Sequence, residues 1–131
     1  MIGYKDSYEF EPDDLKELFL SVNWQAGNHP EKLVIAMKNS SSVFSAWKND
    51  KLIGLVNVLD DGIMTAYVHF LLVKPEFQGQ GIGKELLRMI TEKYKDYMRI
   101  VLVADEKESI FYQSAGFNIM KGAAAMFVNR F

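Results

Sequence analysis

The sequence predicts a single α/β (α+β) domain, in which a mixed central sheet is flanked by about four helices. Two patterns support this prediction. Residues 43–73 contain three β-rich runs separated by short polar turns, which is typical of an antiparallel meander. Residues 71–104 then read as strand, glycine turn, helix and strand, which is typical of a crossover that adds a parallel strand to the sheet.

The elements before the meander are a short strand and two helices. Residues 4–10 are polar and aromatic and form a weak strand candidate. In "EPDDLKELFLSVNW", Leu15, Leu18 and Phe19 fall on one helical face, which predicts an amphipathic helix. The segment "NHPEKLVIAMKNSSS" has a proline near its start and a serine run at its end, so it predicts a second short helix.

The elements after the glycine turn complete the predicted sheet. A helix is expected from about Ile82 to Tyr94, and the apolar run "RIVLVA" at 99–104 predicts a buried strand. Residues 105–117 predict a short helix that ends at a glycine, and "AAAMFVNRF" at 123–131 predicts a last strand. No repeat, low-complexity tract or linker divides the chain, so we expect residues 1–131 to form one domain.

Composition argues against several classes of function. Fifteen Lys and Arg against 17 Asp and Glu give a net charge of -2, so we expect neither nucleic acid nor a membrane as a partner. There is no cysteine, and His29 and His69 lie 40 positions apart outside any zinc motif, so no metal is predicted. The charged N-terminus and the lack of about 18 consecutive apolar residues predict a cytoplasmic protein.

The segment "LLVKPEFQGQGIGKELLRMI" holds the clearest functional signal. Gly79, Gly81 and Gly83 lie between a strand and a helix, where unpaired N–H groups and the helix dipole favour a phosphate. A flexible turn without a ligand is the alternative. A Walker A loop does not fit, because Gln78 and Glu85 occupy positions that need Gly and Ser or Thr. The dinucleotide fingerprint lacks its third glycine.

The pattern Gln78-x-x-Gly81-x-Gly83, with Val73-x-Pro75 before it, resembles the acyl-CoA signature of the GNAT N-acetyltransferase superfamily. The later segment "IFYQSAGF" resembles the same family's second motif, a short helix ending in Tyr, three residues, Gly and Phe. The order of predicted elements is similar to the GNAT fold over essentially the whole chain. This chain is therefore identified as a small single-domain member.

The resemblance implies acetyl-CoA as the co-substrate, bound where two strands splay apart. These strands end at Val73 and near Ala104. The pantetheine arm would pair with Leu72 and Val73, and a backbone N–H near Val73 would polarise the thioester carbonyl. The pyrophosphate would lie on the N–H groups of the glycine turn. The residues implied for that role are Gln78, Gly79, Gln80, Gly81, Ile82, Gly83 and Lys84.

The resemblance also implies direct acetyl transfer to a primary amine of a small molecule or peptide. Tyr112 matches the tyrosine that protonates the departing thiolate, although it could instead pack between helix and sheet. Where the resemblance implies a glutamate base, this chain has Tyr67. We name His69 as the substitute, because alternation places it on the face of Tyr67 if no bulge intervenes. A buried, hydrogen-bonded structural histidine and a water acting as base are the alternatives.

Two further readings of the sequence stay open. One is a non-catalytic acyl-CoA-binding regulatory module of the same fold, and the other is an α/β interaction domain without CoA affinity. The connection containing Trp24, Asn28 and His29 would close over the acceptor in this family, but Trp24 could equally belong to the core. A homodimer is a further expectation, since family members are often dimers.

Overall fold

The computed structural model describes residues 1–131 and contains a five-stranded sheet with four α-helices. The strands are β1 (Gly3–Asp6), β2 (Ser42–Lys48), β3 (Lys51–Asp60), β4 (Thr65–Val73) and β5 (Arg99–Leu102). The helices are α1 (Pro12–Ser21), α2 (Pro30–Lys38), α3 (Ile82–Lys93) and α4 (Ser109–Ser114). Short 3-10 helices lie at Gln25–Asn28, Pro75–Phe77 and Glu106–Glu108. The predicted α/β class and the mixed sheet are confirmed. No helix is long and apolar enough to cross a membrane.

The strands lie in sequence order, from β1 to β5. The first four are antiparallel, and β5 is parallel to β4. The β2–β3 turn places Asn49 and Asp50 at φ 51° and 63°, the left-handed pair that a two-residue hairpin needs. At the β3–β4 turn, the Asp61 carboxylate accepts N–H groups of Ile63, Met64 and Thr65. These hydrogen bonds lower the pKa of Asp61.

The sheet separates two hydrophobic cores. Helix α3 covers one face, and this α3-side core includes Ala66, Val68, Val73, Ile82 and Leu86. Helices α1 and α2 cover the other face, and this α1-side core includes Leu15, Phe19, Leu55 and Leu72. Burial on both faces explains why β3 is apolar along most of its length.

Two irregularities shape the middle of β4. Pairing with β5 stops at Val68 and Leu102, while β4 continues to Val73, so a gap opens beside residues 69–73. Opposite this gap, Asn57 of β3 pairs with Phe70 while the next residue of β3 pairs with Val68. His69 is therefore the extra residue of a β-bulge. The bulge shifts the strand alternation after His69, so Phe70 lies on the side of the sheet that an unbroken strand would give to its neighbours, while the His69 ring stays beside Tyr67, as expected, with 5.8 Å between centroids.

The predicted last strand at residues 123–131 is not present. This segment pairs with no strand, and Met126 and Phe127 are 88% and 83% exposed. An apolar run forms a strand only where a partner edge accepts its hydrogen bonds. The free edge of β5 is only four residues long, and no residue of the segment pairs with it.

Candidate functional site

The glycine turn connects β4 to α3 through two left-handed residues. Gly79 and Gly81 have φ angles of 79° and 83°, a region that side chains with a Cβ rarely enter. Gly81 is also the N-cap of α3, and its carbonyl accepts the N–H of Glu85. The glycines are therefore needed for the backbone path, as the sequence pattern predicts.

The turn presents a row of unpaired donors. The N–H groups of Gly79, Gln80 and Gly81 make no backbone hydrogen bond, and those of Ile82, Gly83 and Lys84 lie in the first turn of α3, where the helix offers no acceptor. Gln80 and Lys84 are exposed, whereas Ile82 anchors the turn in the α3-side core. This arrangement suits an anionic group such as a phosphate.

Gln78 has a structural contact as well. Its side-chain amide donates to the Val73 carbonyl at 2.9 Å, which ties the start of the turn to the end of β4. Lys74, which follows Val73 in the chain, is only 5% exposed. Its Nζ lies 2.8 Å from Oε1 of Glu17 in α1. This hydrogen bond and the ammonium charge lower the pKa of Glu17. No sequence signal pointed to this contact between α1 and β4.

The gap beside β4 exposes particular backbone groups. The N–H groups of Phe70 and Lys74 both point to β3, where they donate to the Asn57 side chain and the Ile53 carbonyl. Backbone direction alternates along a strand, so Leu71 and Val73 turn their N–H groups toward the gap. By the same alternation Leu72 points its backbone to β3. Leu71, which the sequence reasoning missed, therefore shares the gap with Val73.

Helix α4 approaches the glycine turn through Phe111. A Cβ built on Gly83 would lie 3.6 Å from the Phe111 ring and 3.8 Å from Val73, so the three meet at the start of α3. Tyr112 is the next residue, and its half-buried ring contacts Phe111 and Phe117. Burial, and secondarily the charge of Glu108, raises the pKa of Tyr112. The phenol is therefore protonated at neutral pH.

Tyr112 lines a cleft that contains no residue of β4 or of the glycine turn. This cleft of about 1340 Å³ lies between β5, α4 and residues 117–125. The Tyr112 hydroxyl makes no hydrogen bond within the chain, so it is free to contact a ligand. The structure thus brings the end of β4, the turn and Phe111 together, whereas Tyr112 contacts Phe111 and Phe117 and shares its cleft with neither the turn nor His69.

His69 lies on the surface at the bulge. It is exposed and makes no hydrogen bond within the chain, so it is not the buried, hydrogen-bonded histidine of the alternative reading. Its ring nevertheless stacks on Phe70, with 3.9 Å between centroids, and lies 5.8 Å from the Tyr67 ring. This partial burial lowers the pKa of His69, which favours a neutral imidazole that can accept a proton.

Trp24 lies beside the same strand, at the 3-10 helix after α1. It is 37% exposed and contacts Phe70 and Phe19, so it belongs partly to the core and partly to the surface. His29 lies farther along this connection, with its ring 6.2 Å from Phe131. No group of three or more His, Asp or Glu side chains lies close enough together to hold a metal ion.

The sequence and fold match known proteins. A family model described as "Acetyltransferase (GNAT) domain" matches residues 39–119. A ycf52-like N-acetyltransferase of Prochlorococcus marinus, described as uncharacterized, is 33% identical over 113 residues, which cover 81% of this chain and 62% of that protein. The chloroplastic GCN5-related N-acetyltransferase 2 of Arabidopsis thaliana is 36% identical over 139 residues, covering 88% and 53%.

A solved structure resembles the whole chain. A GNAT family acetyltransferase from Streptococcus pneumoniae TIGR4 superposes with a TM-score of 0.86 at 29% identity, covering 99% of each chain. Against the two curated relatives above, this chain spans only 62% and 53% of their length. The family model covers more than half of the chain, and its range contains the glycine turn, the splayed strands and the Tyr112 motif. The chain therefore belongs to the GNAT acetyltransferase family.

Proposed function

We propose that this protein is an acetyl-CoA-dependent N-acetyltransferase that acts on a primary amine of a small molecule or a peptide. The observation that carries the proposal is the row of free N–H groups at the start of α3, next to the gap beside β4. The turn would bind the pyrophosphate, and the gap would bind the pantetheine arm. Both sites use backbone donors, so they need no cationic side chain.

The residues present fit acetyl-CoA in shape and in hydrogen bonding. Gly79 and Gly81 have nothing within 4 Å of a built Cβ, so an anion can approach their backbone closely. On the gap side, the N–H groups of Leu71 and Val73 point away from β3 and offer donors to an amide-containing chain. We assign the thioester carbonyl to this pair of N–H groups near Val73, both of which stay free when Gln78 donates to the Val73 carbonyl.

The proposed reaction is a direct transfer. The amine nitrogen forms a bond to the thioester carbonyl carbon, and the carbon–sulfur bond breaks. The proton lost by the amine goes to His69, or to water in contact with it, and the sulfur gains a proton from the Tyr112 hydroxyl. The products are an amide and free CoA. The lowered pKa of His69 and the raised pKa of Tyr112 hold each group in the form that its role requires.

The test combines binding and turnover. Titration calorimetry with acetyl-CoA measures binding, and colorimetric detection of free CoA thiol measures turnover with a panel of small amines and peptides. The chain has no cysteine, so the protein contributes no thiol background. We expect acetyl-CoA binding and thiol release above the hydrolysis blank with at least one amine class. Absence of acetyl-CoA binding would contradict the proposal.

The second candidate is a non-catalytic acyl-CoA-binding module. The observation that favours it is Tyr67, which stands where the family resemblance implies a glutamate base. The substitution Tyr112→Phe distinguishes the two candidates, because it removes one hydroxyl and keeps the ring. In an enzyme, kcat should fall by roughly 10²-fold or more, while the Kd for acetyl-CoA stays within about twofold. In a binding module, neither wild type nor variant would release thiol above the blank.

Three expectations extend the proposal beyond the site. We propose a cytoplasmic location and a homodimer, and we expect no metal requirement. Size-exclusion chromatography with light scattering measures the oligomeric state directly. Turnover in the presence of EDTA tests the metal expectation, with unchanged rates as the expected result.

A further inference from the structure

Four aromatic side chains form one continuous surface next to the gap beside β4. This aromatic surface consists of Trp24, Tyr67, His69 and Phe70. Ring centroids lie 3.9 Å apart for His69 and Phe70, 5.8 Å for Tyr67 and His69, and 5.9 Å for Trp24 and Phe70. Each distance falls within or just below the usual range for interacting aromatic rings.

The bulge at His69 is what assembles this surface. Before the bulge, Ala66 and Val68 belong to the α3-side core, whereas Phe70 packs against the α1-side core. The even-numbered positions of β4 thus change face at His69. In an unbroken strand Tyr67 and Phe70 would lie on opposite faces, but here both rings contact His69. The buried Asn57 holds the bulge by accepting the Phe70 N–H at 2.9 Å.

The aromatic surface is packed against the protein core on one side and is exposed to solvent on the other. Phe19 is fully buried and meets the rings of Phe70 and Trp24 edge to face, at 5.0 Å and 6.1 Å. Trp24 and His69 are exposed, while Tyr67 and Phe70 are half-buried. The surface therefore offers fixed ring faces to solvent, directly beside the segment of β4 that lacks a β5 neighbour.

No charged side chain belongs to the aromatic surface. The ion pairs of the structure join Lys74 to Glu17, Arg88 to Glu85 and Lys95 to Glu92, and none includes these four residues. Desolvation alone lowers the pKa of His69, with no carboxylate contributing. The four residues therefore carry no carboxylate to pair with the additional ammonium groups of a polyamine or a lysine-rich peptide, whereas a flat apolar group would match the ring faces.

We propose that the aromatic surface binds the acceptor, and that the acceptor is a monoamine carrying an aromatic ring. This inference rests on the proposed function. The ring of the acceptor stacks against Trp24 and Phe70, and its amino group lies at His69, beside the gap. Trp24 is thereby a specificity-determining residue, since it contributes the most exposed ring face of the cluster apart from His69.

The first experiment compares matched pairs of amines in the thiol-release assay. The pairs are benzylamine with cyclohexylmethylamine, and 2-phenylethylamine with 2-cyclohexylethylamine, with spermidine and a lysine peptide added. Rates are compared at equal concentrations of neutral amine, because the members of a pair differ in pKa. We expect kcat/KM to be roughly threefold to tenfold higher for each aromatic member, the range that an aromatic pair contributes.

The second experiment tests Trp24 itself. Trp24→Leu should raise KM for 2-phenylethylamine by roughly threefold to tenfold while leaving the acetyl-CoA Kd unchanged, and Trp24→Phe should recover most of the loss. Trp47→Phe is the matched control, because Trp47 lies on β2, separated from β4 by β3. That control also leaves Trp24 as the only tryptophan, so quenching of its fluorescence by 2-phenylethylamine reports binding independently of turnover.

The outcomes separate this inference from the proposed function. Acetyl-CoA binding with a preference for aromatic amines and with Trp24 quenching supports both. Acetyl-CoA binding with equal use of both members of each pair, or with a preference for spermidine or the peptide, overturns the inference and keeps the function. Absence of acetyl-CoA binding contradicts the proposed function, and the inference falls with it.

Discussion

At the scale of single residues, His69 combines exposure with a desolvated ring. It is the extra residue of the β4 bulge, and its imidazole lies flat on Phe70. Water reaches one side of the ring, while the aromatic neighbours on the other side disfavour the charged form. The outcome is a lowered pKa, which keeps His69 neutral over a wider pH range than a free histidine.

If His69 takes the proton of the amine, the pKa of His69 determines how the activity falls on the acid side of the pH–rate profile, its acid limb. We expect kcat to fall as the pH drops through the lowered pKa, below the ordinary value of about 6.5, because protonated His69 cannot accept a proton. His69→Gln should remove this limb and lower kcat at pH 7 by roughly 10²-fold. The measurement is a pH–rate profile of both proteins at saturating substrates.

The control for this prediction is the binding of acetyl-CoA, which His69→Gln should leave unchanged. A variant that keeps the wild-type acid limb would show that water or another group takes the proton. A loss of rate together with a loss of acetyl-CoA affinity would instead indicate that the bulge has been disrupted.

At the scale of structural elements, the junction of β4 with α3 depends on two glycines for different reasons. Gly81 has a φ of 83° and nothing within 4 Å of a built Cβ, so only its backbone conformation excludes a side chain. Gly83 lies inside the first turn of α3, where a Cβ would meet Phe111 and Val73 at ordinary contact distances. The same substitution should therefore have opposite effects at these positions.

Gly81→Ala should lower the free energy of unfolding by about 1 kcal/mol, since alanine is strained in the left-handed region. Gly83→Ala should leave it unchanged or raise it by about 0.5 kcal/mol, because alanine is the better helix former. Urea denaturation followed by circular dichroism gives both values. An equal decrease in the free energy of unfolding in both variants would mean that steric contacts of the added methyl group, and not the φ angle, exclude alanine from the turn.

At the scale of the whole molecule, the two cores share one sheet. Leu15 of α1 and Leu86 of α3 are fully buried on opposite faces. The tryptophans contact only one face: Trp24 packs on Phe19, and Trp47 packs against the α1-side core. Tryptophan fluorescence therefore reports the α1 side directly and the α3 side only through the sheet.

If residues 1–131 fold as one domain, damage to either core should shift a single transition. Leu15→Ala and Leu86→Ala should each lower the free energy of unfolding by about 2–5 kcal/mol. In both variants the urea midpoints from fluorescence and circular dichroism should coincide. A Leu86→Ala variant that shifts the circular dichroism midpoint but not the fluorescence midpoint would contradict a single domain.

Local sequence determined the parts of this protein that depend on the conformation of a few consecutive residues. The glycine turn needs φ angles that Gly79 and Gly81 supply, and the β2–β3 hairpin needs the left-handed pair that Asn49 and Asp50 supply. These preferences belong to each residue and its neighbours in the chain. They can therefore be predicted from the sequence without knowledge of the fold. The sequence motifs likewise predicted the family, the order of elements up to α4 and the candidate phosphate site.

Tertiary structure alone decided the features that require a distant partner. The bulge at His69 is held by Asn57 of β3, whose side chain accepts the Phe70 N–H. The aromatic surface forms because Trp24, in the connection after α1, contacts Phe70. The Lys74–Glu17 contact likewise joins residues far apart in the chain. The prediction of a last strand at residues 123–131 was wrong, because no strand edge accepts the backbone hydrogen bonds of this segment. Register, bulges and long-range contacts depend on which segments meet, and no local preference of a residue encodes that.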